Sequence, residues 1–308
     1  MDRESPTIGP LEAVEAAWER SIPLPALTEE ALRRWTAPFP GLGARRWTVL
    51  AGGLRSLNLR SDDLVLRVAQ GDRGALAKEG ALLRRLQGIV RVPRVLDASD
   101  AALLLEYVPH APLPPTRRAG ARVGAAAARI HAITFAQAGF LDASLAVAEP
   151  FDAGALAGLR AWADGLLEGD AGARLGAARV AAVRRAWDAR AAELAAACAQ
   201  PALVHSDYKP TNVRWLPEEE EALVLDWEFA WSGPALLDVG MMLRWRPPEP
   251  FVGGLAAGLR GGGAALVDDW RRLAELLDLF NLVGLLARAG GRRLADLLAR
   301  VDATLVVT

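Results

Sequence analysis

Disulfide bonding is closed to this chain. Cys198 is its only cysteine and sits in the alanine run AAELAAACAQ, so no intramolecular bridge can form and the thiol reads as a small apolar helix filler. Long hydrophobic runs are missing as well. Arg, Asp or Glu interrupts every stretch before the roughly 20 apolar residues that a membrane span needs. The opening segment, MDRESPTIGPLEAVEAAWER, has early acids and no apolar signal-peptide core. Together these absences predict a cytoplasmic protein with no membrane partner. An excess of positive charge is lacking too: 36 basic residues face 37 acidic ones, which excludes a general polycation and predicts no nucleic-acid partner. Lysine is the scarcest of the charged residues. Of the 36 basic residues only Lys78 and Lys209 are lysines and all the others are arginines, so a single arginine carries little information and each lysine is worth locating.

What is present divides into two textures. The 308 residues suffice for two domains or one bilobal unit at about 100–200 residues per domain. Residues 11–20 and 28–36 have helical spacing, the second with Thr28 as a cap. From residue 46 the pattern predicts three short strands, Trp47–Ala51, Ser56–Leu59 and Leu64–Ala69, arranged as an antiparallel meander. A helix carrying Leu76, Leu82, Leu83 and Leu86 follows, then strands over Arg94–Ala98 and Ala102–Val108. Pro109, Pro112, Pro114 and Pro115 mark a boundary, since each removes a backbone donor and fixes φ. An α+β unit over 1–108 and a larger unit over 109–308 are therefore expected. Within the latter, Thr116 to about Gln200 reads as helical throughout, two short strands fall in 203–226, and helices run on to the end.

The chemistry concentrates in LVHSDYKPTNVRWLPEEEEALVLDWEFAWSGPALLDVG. A polar loop from His205 to Asn212 leads into strands Val213–Leu216 and Ala222–Leu225, the second ending on Asp226. Asp207, Asn212 and Asp226 thus lie on one loop and at one strand end joined by a hairpin. Oxygen donors so placed suit Mg2+, which takes carboxylates together with phosphate oxygens and water. Phosphoryl transfer needs an Asp near the attacking hydroxyl, metal on the phosphates and a cation against developing charge. The spacing Asp-x-Lys-x-x-Asn from Asp207 to Asn212 supplies all three kinds of group within six residues.

At this point the chain resembles the eukaryotic-type kinase superfamily, whose catalytic loop has the form H-x-D-x-x-x-x-N. It is most similar to the aminoglycoside phosphotransferase and choline kinase-like branch, of which the strings LDWE and GPALLDVG are typical. The resemblance implies a bilobal protein-kinase-like fold, with a small antiparallel-sheet lobe and a mainly helical one. It implies Asp207 as base or hydroxyl-orienting group, Asn212 and Asp226 as Mg2+ ligands, and Glu228 assisting at the metal. Lys209 matches the lysine that reaches the γ-phosphate in serine/threonine kinases, and His205 organises the loop near the metal-binding Asp.

In the first half, Gly52, Gly53, Ser56 and Asn58 resemble the nucleotide-covering loop, where glycine lets backbone approach phosphate. Arg67 stands where kinases carry the phosphate-holding lysine, with Glu79 as its helix partner and Lys78 as a rival cation. A guanidinium can fork to phosphate or carboxylate with different geometry. Adenine would pair with the Glu106 carbonyl and the Val108 amide. These placements predict that Lys209→Arg impairs catalysis and that Arg67→Lys is tolerated.

The implied activity is transfer of the γ-phosphoryl group of ATP or GTP, with Mg2+, to a hydroxyl of a small molecule, cationic acceptors such as an aminoglycoside or amino alcohol included. A pseudokinase-like nucleotide-binding module and a metal-dependent phosphohydrolase are the rivals. Oligomeric state is left open. Asp268, Asp269, Glu275 and Asp278 fall where the family builds its acceptor pocket, though interleaved arginines suit a salt-bridged surface equally well. His131 reads as a packing histidine, His110 as solvent-facing, Glu218–Glu221 as a solvated hairpin tip, and Trp227 and Trp231 as loop packing.

Overall fold

A computed structural model describes residues 25–50, 57–69 and 73–306. The first helix, α1 (Glu29–Thr36), starts as its sequence predicts, the Thr28 hydroxyl accepting from the Ala31 amide at 3.1 Å. Five antiparallel strands follow: β1 (Thr48–Val49), β2 (Leu57–Ser61), β3 (Leu64–Val68), β4 (Val95–Ala98) and β5 (Ala102–Glu106), in the spatial order β1-β2-β3-β5-β4. Strands β2 and β3 form a hairpin that places Asn58 opposite Arg67. Leu57 and Leu59 of β2 and Leu64 and Leu66 of β3 bury one face against Trp35, Phe39 and Trp47, the alternation expected of a half-buried sheet. Residues 11–20 and Gly52, Gly53 and Ser56 lie outside the described residues.

Helix α2 (Arg73–Leu86) buries Leu76, Leu82, Leu83 and Leu86 as its periodicity predicts, with Glu79 and Gly80 buried beside them. The last sheet strand ends at Glu106 rather than Val108. The reason is local: the Tyr107 amide donates to the Asp63 carbonyl at 2.7 Å, and the chain then runs into Pro109.

Thr116 caps α3 (Arg117–His131), accepting from the Ala119 amide at 3.2 Å. The uniformly helical reading of 116–200 fails beyond this helix. Strands β6 (Gly139–Leu141) and β7 (Val147–Pro150) interrupt it. Helices α4 (Ala155–Glu168), α5 (Asp170–Leu175), α6 (Ala177–Asp188) and α7 (Ala191–Ala197) then lead to β8 (Pro201–Val204). After the β9 (Val213–Leu216) and β10 (Glu221–Val224) hairpin comes β11 (Trp231–Pro234), which pairs with both β8 and β6. The resulting sheet has the order β7-β6-β11-β8. Its strands are three or four residues long, and β11 reaches back to β6 across about 90 positions of chain, so local alternation carries little trace of them.

Helices α8 (Leu236–Leu243), α9 (Glu249–Gly261), α10 (Trp270–Leu286) and α11 (Gly291–Val306) complete the molecule. Helices α3 and α9 meet backbone to backbone. A methyl group added at Gly124 would fall 2.1 Å from the Leu255 carbonyl oxygen, and one at Gly258 would fall 2.1 Å from that of Ala121. Helix α10 runs through the second large core, where the Trp187 ring stacks on Phe280 at 4.1 Å and its indole N–H donates to the Leu276 carbonyl at 2.9 Å. Cys198 is buried in the same core, and burial pushes its thiol pKa up to about 12, the behaviour of a filler rather than a nucleophile. No described helix is long and apolar enough to cross a membrane.

Candidate active site

The loop from His205 to Asn212 leaves β8 and enters β9, and its shape is set by two buried acceptors. Asp238, fully buried on α8, takes the His205 amide on Oδ2 and the Ser206 amide on Oδ1, each at 2.8 Å. That double anchor holds Ser206 at φ 63°, a left-handed conformation that non-glycine residues adopt only when their surroundings fix it. The Ser206 hydroxyl then accepts from the Trp231 indole at 3.1 Å. His205 supplies the second brace. Its Nδ1 accepts from the Asp207 amide at 3.2 Å and its Nε2 donates to the Leu225 carbonyl at 2.8 Å, which defines the neutral tautomer with the proton on Nε2. A histidine so engaged ties the loop to the strand that delivers Asp226, and has no hand free to shuttle protons.

Asp207 projects from this braced loop. The Asn212 amide group donates to its Oδ2 at 2.7 Å and to its carbonyl at 3.1 Å, and Lys209 Nζ lies 2.9 Å from the same Oδ2. Both nitrogen ends of the loop's polar set therefore face one carboxylate. This orientation leaves the Asn212 side-chain oxygen as its acceptor end.

Asp226 follows β10 at φ 64°, a second left-handed non-glycine residue of the same site. Its Oδ1 lies 2.5 Å from Arg67 Nη2, while Arg67 Nε lies 2.5 Å from Glu79 Oε2 and Nη2 lies 3.7 Å from Glu228 Oε2. One guanidinium from the N-terminal sheet thus joins α2 to the strand end that carries Asp226 and Glu228. Arg67 and Glu79 are both buried. Burial alone would lower the Arg67 pKa, but Glu79, Asp226 and Glu228 raise it above its ordinary value. Burial would likewise push the Asp226 carboxyl up, and Arg67 overcomes it to hold that carboxyl below its usual range. The sequence rival Lys78 turns elsewhere, donating to the Ala230 carbonyl at 2.9 Å. Because the fork of Arg67 spans two carboxylates, an ammonium at this position would meet only one of them closely, which counts against tolerance of Arg67→Lys.

Glu106 and Val108 stand at the end of β5. The Glu106 carboxylate is held by Arg91 at 2.7 Å and Arg94 at 2.6 Å. Val108 packs with Leu216, Leu223 and Leu225 in a small apolar cluster between the end of β5 and the β9–β10 hairpin. This cluster was not singled out from the sequence. Its signal, alternate leucines in two short strands, is shared by ordinary core. His110 is half-buried rather than solvent-facing, since its Nδ1 donates to the Val108 carbonyl at 2.7 Å.

One further reading changes, and for the C-terminal carboxylates the salt-bridged alternative is the one met. The acidic hairpin tip is not simply solvated: Glu219 approaches Arg91 at 3.5 Å, Glu220 pairs with Arg118, and Glu221 lies 3.7 Å from Arg129. Among the C-terminal carboxylates, Asp278 is buried and bidentate to Arg244, Asp269 pairs with Arg190 at 2.9 Å, and Glu275 lies 3.4 Å from Arg272. Burial would lower the Arg244 pKa; Asp278 overcomes it, with a smaller pull from Asp207, so this ion pair lies within the field of the loop carboxylate. Trp227 is buried 4.7 Å from the His205 ring, and with Trp231 it packs the loop as expected.

Asn212, Asp226 and Glu228 offer hard oxygen donors of the kind Mg2+ takes. Among the described residues no three His, Cys, Asp or Glu side chains form a metal cage by themselves.

An antiparallel five-stranded sheet joined to a mainly helical part gives a protein-kinase-like fold, and solved structures share that fold. A macrolide 2'-phosphotransferase from Brachybacterium faecium superposes with TM-score 0.62 at 19% identity, over 89% of this chain and 98% of that one. A choline/ethanolamine kinase family protein from Mesorhizobium loti gives TM-score 0.63 at 22% identity, over 91% and 95%. The GDP complex of aminoglycoside 2'-phosphotransferase-IIIa gives 0.69 at 16% identity, over 92% and 99%. No curated protein matches the chain. The model of the phosphotransferase enzyme family matches residues 38–276, and the chain belongs to that family.

Proposed function

We propose that this phosphotransferase is a small-molecule kinase of the cytoplasm that moves the γ-phosphoryl group of ATP or GTP, as the Mg2+ complex, to an alcohol oxygen. The observation that carries the reading is the pairing of Asn212 and Lys209 on the Asp207 carboxylate within a loop locked by Asp238 and His205. Asp207 orients the acceptor hydroxyl and takes its proton as the oxygen attacks the γ-phosphorus. The bond from that phosphorus to the bridging oxygen breaks, and the nucleoside diphosphate leaves with the electron pair. Lys209 neutralises charge developing on the transferred group. Asn212, Asp226 and Glu228 would hold Mg2+, which would supply positive charge against the phosphates. Val108 and its leucines offer the base an apolar surface beside the backbone of Glu106 and Val108, and Gly52, Gly53 and Ser56 would cover the phosphates.

The acceptor reading narrows in one respect. Arginine partners already occupy Asp269, Glu275 and Asp278, which favours an acceptor of low charge over a polycationic aminoglycoside. The test is diphosphate formation, with product mass, across a panel of neutral sugars, amino alcohols and aminoglycosides, using wild type and Asp207→Asn. Loss of transfer in Asp207→Asn by a factor of about 10²–10⁴ with nucleotide binding kept is expected. Equal turnover by the two proteins overturns the assignment.

A further inference from the structure

We propose that Tyr208 is the positioning residue of the Asp207–Lys209 pair: its hydroxyl ties the loop to α3, and through α3 to α9, so that phosphoryl transfer depends on this tie while nucleotide binding does not. The inference rests on the reading of Asp207 and Lys209 as the reacting pair.

Tyr208 stands between the two residues in the chain and is buried where they are not. The Asp207 and Lys209 side chains keep 24% and 14% of their surface exposed, whereas Tyr208 lies wholly inside the core that holds Val123, Val213, Trp227 and Leu255. Its hydroxyl donates to the Val123 carbonyl of α3 at 2.8 Å, and its ring meets the His205 imidazole edge-on at 5.9 Å. A phenylalanine would fill nearly the same volume. What the hydroxyl adds is direction, since a buried O–H needs an acceptor and a bond to a helix carbonyl fixes both distance and angle. Burial pushes the Tyr208 pKa well above its ordinary value, so the group stays a donor.

Other anchors hold the loop on either side of this point. Asp238 and the Leu225 carbonyl fix His205 and Ser206, and the Lys209 carbonyl accepts from the Asn212 and Val213 amides at 2.9 and 2.8 Å. Tyr208 supplies the tie between them. Consecutive Cα atoms are about 3.8 Å apart, so Tyr208 cannot shift without carrying Asp207 and Lys209 with it. The acceptor itself is held. Gly120 and Gly124 lie on either side of Val123 in α3, and a methyl group there would fall 2.0 Å from the Phe251 carbonyl oxygen and 2.1 Å from that of Leu255, both on α9. At the end of α3, about 12 Å further along the helix, His131 meets Asp238, the carboxylate that takes the His205 and Ser206 amides. The loop is therefore tied to one helix at two points, and that helix is seated against α9.

The scarcity of lysine makes the pair directly observable. The full chain, labelled with 13Cε-lysine, gives signals from Lys78 and Lys209 alone, and Lys78, bonded to the Ala230 carbonyl, serves as internal control. Tyr208→Phe is expected to shift the Lys209 signal toward that of free lysine and to leave the Lys78 signal in place. Transfer from MgATP to a mixture of glucose, ethanolamine and kanamycin should fall about tenfold or more, with the nucleotide Kd within about twofold of wild type. Gly258→Ala keeps the hydroxyl but presses α9 against the Ala121 carbonyl of α3. It should move the Lys209 signal in wild type and move it no further in the Tyr208→Phe background, and it carries the test if Tyr208→Phe does not fold. An unchanged Lys209 signal in every folded variant, or a transfer rate that falls only as far as nucleotide affinity does, overturns the proposal. A full additional shift in the double variant overturns the route through α3. Asp207→Asn transferring as fast as wild type overturns instead the reading on which the proposal rests.

Discussion

His131 Nε2 lies 3.0 Å from Asp238 Oδ2, the same oxygen that accepts the His205 amide. The end of α3, the start of α8 and the loop from His205 to Asn212 are therefore joined at one buried carboxylate. Asp238→Ala leaves two amides and an imidazole without their acceptor, and each orphaned buried group costs about 1–3 kcal/mol. A loss of at least about 3 kcal/mol in urea unfolding is expected, with turnover falling alongside. His131→Ala removes one donor and keeps the two amide bonds. It should cost about 1–2 kcal/mol and lower kcat while leaving the nucleotide KM unchanged, since His131 acts on the loop and not on the nucleotide. A change confined to nucleotide KM would speak against this role.

Lys209 and Asp207 form the second relationship open to direct test. Their contact is 2.9 Å and shares Asp207 Oδ2 with Asn212. Lys209→Arg keeps the charge but replaces a compact ammonium with a longer, planar group beside the transferring phosphate. Single-turnover rates should fall about tenfold or more with little change in nucleotide affinity. Lys209→Arg transferring at the wild-type rate would remove Lys209 from the reacting centre.

How much of this was legible in the residues depends on distance along the chain. The loop and hairpin from His205 to Asp226 could be read because Asp207, Asn212 and Asp226 recur at spacings that one chemistry requires. Arg67 with Glu79 was placed by resemblance, yet its contact with Asp226, 159 positions away, has no local signature. The β6–β7 hairpin was missed for a different reason: its strands are three and four residues long with an irregular register, too short for alternation to show, and only β6 has a distant partner, in β11. The neutralisation of Asp278 by Arg244 was equally hidden, because arginine is so frequent here that no single one stands out.

Glycine provides a contrast within one composition. A methyl at Gly124 collides with the Leu255 carbonyl oxygen at 2.1 Å, whereas Gly165, on an exposed position of α4, meets nothing within 4 Å. Gly124→Ala forces α3 and α9 apart and should cost about 1–3 kcal/mol or more, the scale of overpacking in a closed core. Gly165→Ala should instead stabilise by about 0.5–1 kcal/mol, through the lower backbone entropy it loses on folding a helix. Thermal unfolding of the two variants checks both signs. Two shifts in the same direction would contradict the close helix contact.

The Arg244–Asp278 pair separates stability from acceptor recognition. Both side chains are buried and the pairing is bidentate, with Arg244 Nε 2.6 Å from Asp278 Oδ2. Removing one partner strands the other, so Asp278→Ala should destabilise by about 3–5 kcal/mol. Replacing both with apolar residues of similar size, Arg244→Met with Asp278→Leu, removes the stranded charge and should recover most of that loss. The recovered double variant then isolates electrostatics at the loop. Arg244 contributes positive potential at Asp207, so without it the double variant should use cationic hydroxyl compounds relatively better than neutral ones, measured as a ratio of kcat/KM. An unchanged ratio in a stable double variant would mean that the pair serves folding alone and that acceptor charge is read elsewhere in the cleft.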